Sequence, residues 1–490
     1  MISSARKRVA VIGGGISGLA AAHRVHELDP EIELTLYEAQ PQLGGVVQTA
    51  RRDGFLWEWG PDNFITQLPW GLQLCRRIGL EPELLPTDDQ HRQAFVVRRG
   101  RLRKIPQGFV IMAPSRIWPV IATPILSPWG KLRMACEFFL PGQKAEHDES
   151  LASFVIRRFG RETYDRLVQP LVGGIYTGDP HQLSVRMTMP RFVEMERSHG
   201  SLIRAIWSRR SARSPATTGT SGARYSLFVA PREGMSSLTG ALAGRLPAGT
   251  VHTGAPVVQI APRPPHGWTV TLGGSPSKTH SVDAVVVAIP GPAASRLLAD
   301  VDPVCSQRLG EIHYASCSIA SLAYRREQIA HRLDGFGFVV PLREKRSILS
   351  GSFASVKYAG RAPDGEVLLR AFIGGACQPE LAELPEDELI ATAHREFADL
   401  LGIRGEPRQV QVSRHPQTMA QYYVGHQQRV EQIEARLARY PGLFMAGNAF
   451  EGVGIPQCIH RGERTAEQVV AGLRDDSPAS PVSGESICRT

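Results

Sequence analysis

The stretch VAVIGGGISGLAAAHRVHELDPEIELTLYE, residues 9–38, limits what this chain can fold into more than any other part of it. Val9 to Ile12 form a short apolar, largely β-branched run, and Gly13, Gly15 and Gly18 follow in G-x-G-x-x-G spacing before a stretch rich in Ala and Leu. Strand, tight turn and helix thus stand in the order of a dinucleotide-binding unit. Ile32 to Glu38 alternates as a second strand and ends in an acid about twenty residues past the last glycine, the ribose-binding position. The glycines let backbone N–H groups approach a pyrophosphate, which then rests on the positive end of the helix that starts at Ile16 and Ser17.

A length of 490 residues points to two or three domains. Hydrophobic content of 42% with 21% charged residues is that of a globular protein, and no run of eighteen uninterrupted apolar residues offers a spanning helix. The N-terminus carries a basic patch but runs straight into the glycine turn, without the apolar core and cleavage site of a secretion signal, so a cytoplasmic location is expected. The formal charge is +9. Its arginines are scattered and not interleaved with aromatics, so no nucleic-acid partner is expected. Seven cysteines without CxxC or metal-like spacing predict reduced thiols and no metal site. With no hydrolytic triad or disulfide redox pair apparent, a bound cofactor must carry the chemistry.

Two distant segments add to the first. LFMAGNAFEGVGIPQCIHRGERTAEQVV, Leu443–Val470, reads as an apolar strand, a Gly-Asn turn, a loop and a helix. GTVHTGAPVVQIAP and WTVTLGG read as hairpin material, and Ala284–Ile289 as a buried strand turning into a helix. Together with Gly44 and Gly45 directly after the second strand, this resembles the flavoprotein superfamily of amine oxidases and desaturases. The resemblance implies FAD, with Gly44, Gly45, Gly60 and Pro61 on the cofactor and backbone contacts to the adenine near Val258. It also puts Asn448, Gly452, Val453, Gly454 and Ile455 at a helix start facing the flavin's pyrimidine edge. Two positions depart from the pattern: Val46 stands where an arginine is usual, and Asn448 where an Asp is.

YDRLVQPLVGGIYTGDPHQLSVRMTMPRF, Tyr164–Phe192, is similar to the signature of the porphyrinogen oxidases, and FLWEWGPDNF, LDGFGFVVP, RAPDGEVLLRAFIGG and GVGIPQCIHRGERTA extend the likeness over about residues 8–473. That resemblance implies a tetrapyrrole pocket over the flavin, with Gly173 and Gly174 near the macrocycle and Val339 and Phe353 clamping its pyrrole rings. Asp62 would accept a pyrrole N–H or take its proton. Plant and animal members carry a propionate-pairing arginine where this chain has Ala94, so pairing is expected from Arg92, Arg98 or Arg103. The implied reaction is the six-electron oxidation of coproporphyrinogen III, or of protoporphyrinogen IX, with molecular oxygen reduced to hydrogen peroxide. Another amine oxidase or desaturase, or a non-catalytic flavoprotein beside a ferrochelatase, are the remoter readings.

The expected fold class is α/β, multi-domain. It comprises a Rossmann-like FAD-binding domain (1–89, 225–305, 413–475), an inserted mixed-sheet substrate domain (90–111, 306–412), a helical subdomain with a linker (112–224) and a disordered tail (476–490). Four prolines break the apolar run Phe109–Leu140 and exclude one long helix. Short buried helices walling a pocket are expected there. The competing reading is a surface that dips into a lipid interface, anchored by Trp118 and Trp129.

Overall fold

The computed structural model describes residues 6–88, 91, 93–110, 112–114, 117–143, 147–211 and 227–475. Arg92, most of the expected linker and the expected tail lie outside them.

A five-stranded parallel sheet runs in the order Val251–His252, Glu33–Tyr37, Arg8–Ile12, Ala284–Val287, Leu443–Met445. Its three central strands are short apolar runs because both of their faces are covered. Val9, Val11, Ala284 and Val286 pack on one side with helix Ile16–Leu28 and helix Ile455–Asp475. Ala10, Ile12, Val285 and Val287 pack on the other side with Ile260, Trp268 and Val270 of a three-stranded sheet. The two helices approach closely, since a Cβ on Gly462 would lie 2.4 Å from the carbonyl oxygen of Ser17. The head and tail of the chain therefore share one core.

A seven-stranded mixed sheet is built from Gln409–Ala420, Tyr314–Arg325, Glu366–Gly374, Ser350–Phe353, Gly337–Val339, Ala94–Arg98 and Arg101–Lys104, in that order. The boundary expected after residue 412 falls inside the first of these strands. Gln409 through Ala420 pair with Tyr314–Arg325, so the chain leaves this sheet only after Ala420. One face of the sheet is filled by Phe95, Phe338, Phe353, Leu369 and Ala371 against Leu389, Ala393 and Phe397 of helix Glu386–Leu401. The other face looks towards the loop that follows strand Phe55–Glu58.

Short helices between Ile117 and Ser211 enclose a core of their own around Phe154, Phe159, Leu167 and Val172. The proline-broken run does not bury uniformly, which corrects the expectation of plain burial. Ile125, Leu126 and Met134 are buried, whereas Trp118, Ile121, Trp129, Leu132 and Phe139 are each more than half exposed. Trp129 and Leu132, three residues apart in helix Pro128–Ala135, share one outward face of it, and Phe139 ends the 3-10 turn Cys136–Phe139 that follows. No helix among the described residues is long and apolar enough to cross a membrane.

Candidate active site

Three loops nest at the C-terminal ends of the parallel strands. Helix Ile16–Leu28 starts at Gly15, which carries no side-chain cap, and has no acidic residue in its first turn, so its N–H groups and positive end remain available to an anion. A Cβ on Gly18 would fall 1.9 Å from the Gly13 carbonyl oxygen, which explains the third glycine of the motif. Gly15 bridges Gly44, whose N–H donates to the Gly14 carbonyl at 2.8 Å and whose φ of +107° disfavours any side chain. Gly60 packs in turn against the Val46 carbonyl. Glu38 accepts from the Gly14 N–H at 2.6 Å and the Gln40 N–H at 2.8 Å, which fixes its carboxylate beside the turn.

The C-terminal segment closes this cradle. Asn448 donates to the Thr418 carbonyl and accepts from Tyr314, while the Tyr422 hydroxyl donates to the Asn448 carbonyl at 2.6 Å and accepts from the Gly452 N–H at 2.8 Å. Position 448 thus needs an amide, able to donate and accept at once, where a carboxylate could only accept. The loop through Val453 and Gly454 then leads into the helix at Ile455, again without an acid in its first turn. Val258 sits at a register shift in its strand, where the ladder is interrupted, and the nearby Ala255 N–H donates to the Glu38 carbonyl. The residues present fit FAD: nothing stands within 4 Å of a Cβ built on Gly15, so the cradle is open on its ligand side.

The face of the seven-stranded sheet that looks at this cradle is organised in rows by the strand register. Ala94, Gly337, Ser352 and Arg370 form one row, and Val96, Val339, Ser350 and Phe372 the next. A Cβ on Gly174 would come within 3.2 Å of Val339 Cγ1, so the glycine-bearing helix Gln169–Tyr176 meets the second row. It follows directly on a π-helical turn, Tyr164–Val168, a distortion frequent at functional sites. Gly173 is buried and Gly174 exposed.

Phe353 does not join Val339. Strand alternation puts it on the opposite face, fully buried with Phe338 and Phe397. The half-buried aromatic on the cradle-facing side is Phe372, with the Arg370 guanidinium 5.4 Å from its ring centroid.

Asp62 is held more tightly than its turn position suggests. Lys357 Nζ donates to Asp62 Oδ2 at 2.8 Å and to Ser352 Oγ at 3.1 Å, Asn63 donates to Oδ1 at 2.7 Å, and Arg370 Nη1 lies 3.3 Å away as an ion pair. Burial opposes ionisation, but Lys357 and Arg370 outweigh it and bring the carboxyl down to about 2. Such a group stays ionised and is a weak base, so the geometry supports hydrogen-bond acceptance and argues against proton abstraction. Arg370 also donates to the Gly60 carbonyl, tying the sheet to the cradle, and its Nε has no hydrogen-bond partner among the described residues. Neither Lys357 nor Arg370 stood out by motif. A signal did exist, because an arginine inside the apolar run EVLLRAFIGG demands a buried partner.

The turns at Gly13–Gly18, at Gly44 and Gly45, at Gly60 and at Gly452–Ile455 around a parallel sheet, roofed by a mixed sheet, define a flavin oxidoreductase. The chain belongs to the flavin-containing amine oxidoreductase family, whose model matches residues 16–470, and it is an FAD-dependent oxidoreductase. Among its relatives, the coproporphyrinogen III oxidase of Bacillus subtilis (strain 168) is 33% identical over 96% of this chain and 100% of its own length. The chloroplastic protoporphyrinogen oxidase of Nicotiana tabacum is 28% identical over 94% of this chain and 85% of its own. A crystal structure from Exiguobacterium sp. 255-15, named as a protoporphyrinogen oxidase, superposes with a TM-score of 0.83 at 29% identity, covering 96% of this chain and 99% of that one.

Proposed function

We propose that the porphyrinogen this enzyme of haem biosynthesis oxidises is coproporphyrinogen III, taken to coproporphyrin III with molecular oxygen as the acceptor. The observation that carries the reading is the full-length likeness to coproporphyrinogen III oxidases. FAD, when bound, would supply two-electron acceptance, with oxygen as the final acceptor. Residues Gly13, Gly15, Gly18, Gly44 and Gly45 would hold its phosphates, Glu38 its ribose, Val258 its adenine, and Gly60, Pro61 and the helix start at Ile455 its ring.

The chain's own part in the reaction is orientation and exclusion of water. Val339, Gly173 and Gly174 press on the apolar macrocycle, joined by Phe372 in place of Phe353. Asp62, kept ionised by Lys357 and Arg370, accepts a pyrrole N–H and so fixes the ring's register. The alternative substrate is protoporphyrinogen IX, which keeps two propionates instead of four. Oxidation of each porphyrinogen in air, followed by porphyrin fluorescence, separates them: kcat/KM is expected to be at least tenfold higher for coproporphyrinogen III, and the reverse order overturns the assignment.

The exposed stripe of Trp118, Ile121, Trp129, Leu132 and Phe139 supports peripheral contact with an inner membrane face. From His91 to Cys136 the sequence contains no Asp or Glu but nine Lys and Arg, a charge pattern suited to anionic lipid. Co-sedimentation with anionic vesicles is expected for the native protein and is lost on Trp118→Ser with Trp129→Ser. Equal recovery of both proteins in the supernatant overturns it.

A further inference from the structure

We propose that the cleft between the outer strand pair of the mixed sheet and the helical subdomain is a carboxylate site, with Arg98 and Arg343 as its donors. It takes propionate side chains of the tetrapyrrole. This rests on the porphyrinogen reading above and adds the determinant of carboxylate recognition.

The cleft holds about 80 Å³ and four arginines line it: Arg98, Arg99, Arg166 and Arg343, with Glu344 as the lone acid in the lining. The charges do not cancel. Glu344 spends its two oxygens on the Arg99 N–H at 3.0 Å and the Gly100 N–H at 3.2 Å. Arg166 is neutralised by Glu162 and donates to the Ile125 carbonyl at 2.8 Å. The Arg98 and Arg343 guanidiniums make no side-chain hydrogen bond or ion pair among the described residues. Burial, then Arg166 and Arg99, lower the Arg98 pKa and outweigh the nearby Glu162 carboxylate, as expected where cations outnumber acids. A guanidinium presents a planar fork that binds a carboxylate in two places, which suits it to this ligand better than an ammonium.

The cleft's place in the fold selects the substrate's own carboxylates over a free anion. Ala94 shares the row of Arg370, the residue that bonds the Gly60 carbonyl at the cradle, and Val96 shares the row of Val339. Arg98 continues that alternation on the same face, four residues beyond Ala94, or about 13 Å along the strand. Pro341 likewise lies two residues beyond Val339 and lines the cleft. A macrocycle resting on the Val339 row therefore directs one edge, and the propionates on it, at Arg98 and Arg343. The same face lacks an arginine at position 94, and the two cleft arginines supply the charge further along it.

The test uses the flavin-loaded enzyme and the double variant Arg98→Ala with Arg343→Ala, beside Arg439→Ala as a distant exposed control. Two measurements are made: turnover of coproporphyrinogen III and protoporphyrinogen IX, and titration with oxidised coproporphyrin III, its tetramethyl ester and succinate. The double variant is expected to lose at least tenfold in kcat/KM for coproporphyrinogen III, mainly through KM, and to lose in kcat/KM for protoporphyrinogen IX as well, whose two propionates can reach the same cleft. It is also expected to bind coproporphyrin III at least tenfold more weakly while its affinity for the ester stays the same.

No effect on either porphyrinogen, or equal weakening of acid and ester, overturns the proposal, as does succinate binding that the variant loses while coproporphyrin III binding persists. If the native enzyme oxidises neither porphyrinogen, the functional reading fails instead, and the coproporphyrin titration still decides the cleft. The arms are read at equal flavin content and equal Tm, and Arg98→Lys is expected to restore part of the binding if the double variant fails to fold.

Discussion

The cradle and the sheet above it present different atoms to their ligands. Around Gly13–Gly18, Gly44 and Ile455 the groups available to the cofactor are backbone N–H donors and two helix ends, fixed by close approaches that only glycine permits. Around the mixed sheet the groups are side chains, Val339, Phe372 and Arg370 on its strands, Lys357 on the short helix Ala354–Lys357 and Asp62 on the loop after strand Phe55–Glu58, whose placement depends on register and ion pairing across some three hundred residues of sequence. A backbone site tolerates little change at a few positions. A side-chain site can be retuned one residue at a time, which is how one family comes to act on unlike substrates.

Gly18→Val breaks the first half of this contrast most severely. With a Cβ 1.9 Å from the Gly13 carbonyl oxygen, the turn and the helix cannot both persist, and the protein is expected to be isolated colourless, with no flavin absorbance.

The next largest effect separates the two faces of the sheet. Phe353→Ala empties a fully buried site and is expected to cost ~3–5 kcal/mol of stability, read as a fall in Tm, with KM for porphyrinogen unchanged in the fraction that remains folded.

Acidification probes the Asp62 cluster. Its folded-state pKa of about 2 lies below the ordinary 3.8, so its contribution is fully present above that value and is lost as pH falls from 3.8 towards 2. The shift corresponds to about 2 kcal/mol. Acid denaturation curves of Asp62→Asn are expected to be shallower than those of the native protein across this interval.

Phe372→Ala gives the smallest effect, a rise of roughly tenfold in KM, the loss of about 1.4 kcal/mol of apolar contact, with Tm and flavin content retained. Should Phe353→Ala raise KM while Phe372→Ala does not, the assignment of faces is reversed.

The two regions also differ in how far their sequence discloses them. G-x-G-x-x-G spacing, an acid after the second strand and a loop leading into the last helix are local patterns, and they predict the cradle because backbone geometry follows from nearby residues. Val339 and Gly174 meet, whereas Phe353, which the resemblance sets beside Val339, lies on the opposite face, since a resemblance fixes position along the strand while the pleat decides the face. Asp62 is legible as a turn residue, but its partners lie about three hundred residues away, Lys357 at the end of the short helix Ala354–Lys357 and Arg370 inside a strand, and only the arginine's place in an apolar run hints at a buried partner. The run Phe109–Leu140 shows why composition alone falls short. The short helices and the bend between them bury Ile125 and Met134 and still turn Trp118 and Trp129 outward.

The most direct test of this account is anaerobic mixing of the flavin-loaded protein with coproporphyrinogen III while the flavin absorbance is followed. Bleaching of the yellow band, with coproporphyrin fluorescence appearing and the band returning when air is admitted, is the predicted result. A flavin that stays oxidised in the presence of excess porphyrinogen would contradict it, because the mixed sheet would then hold no tetrapyrrole against the cradle.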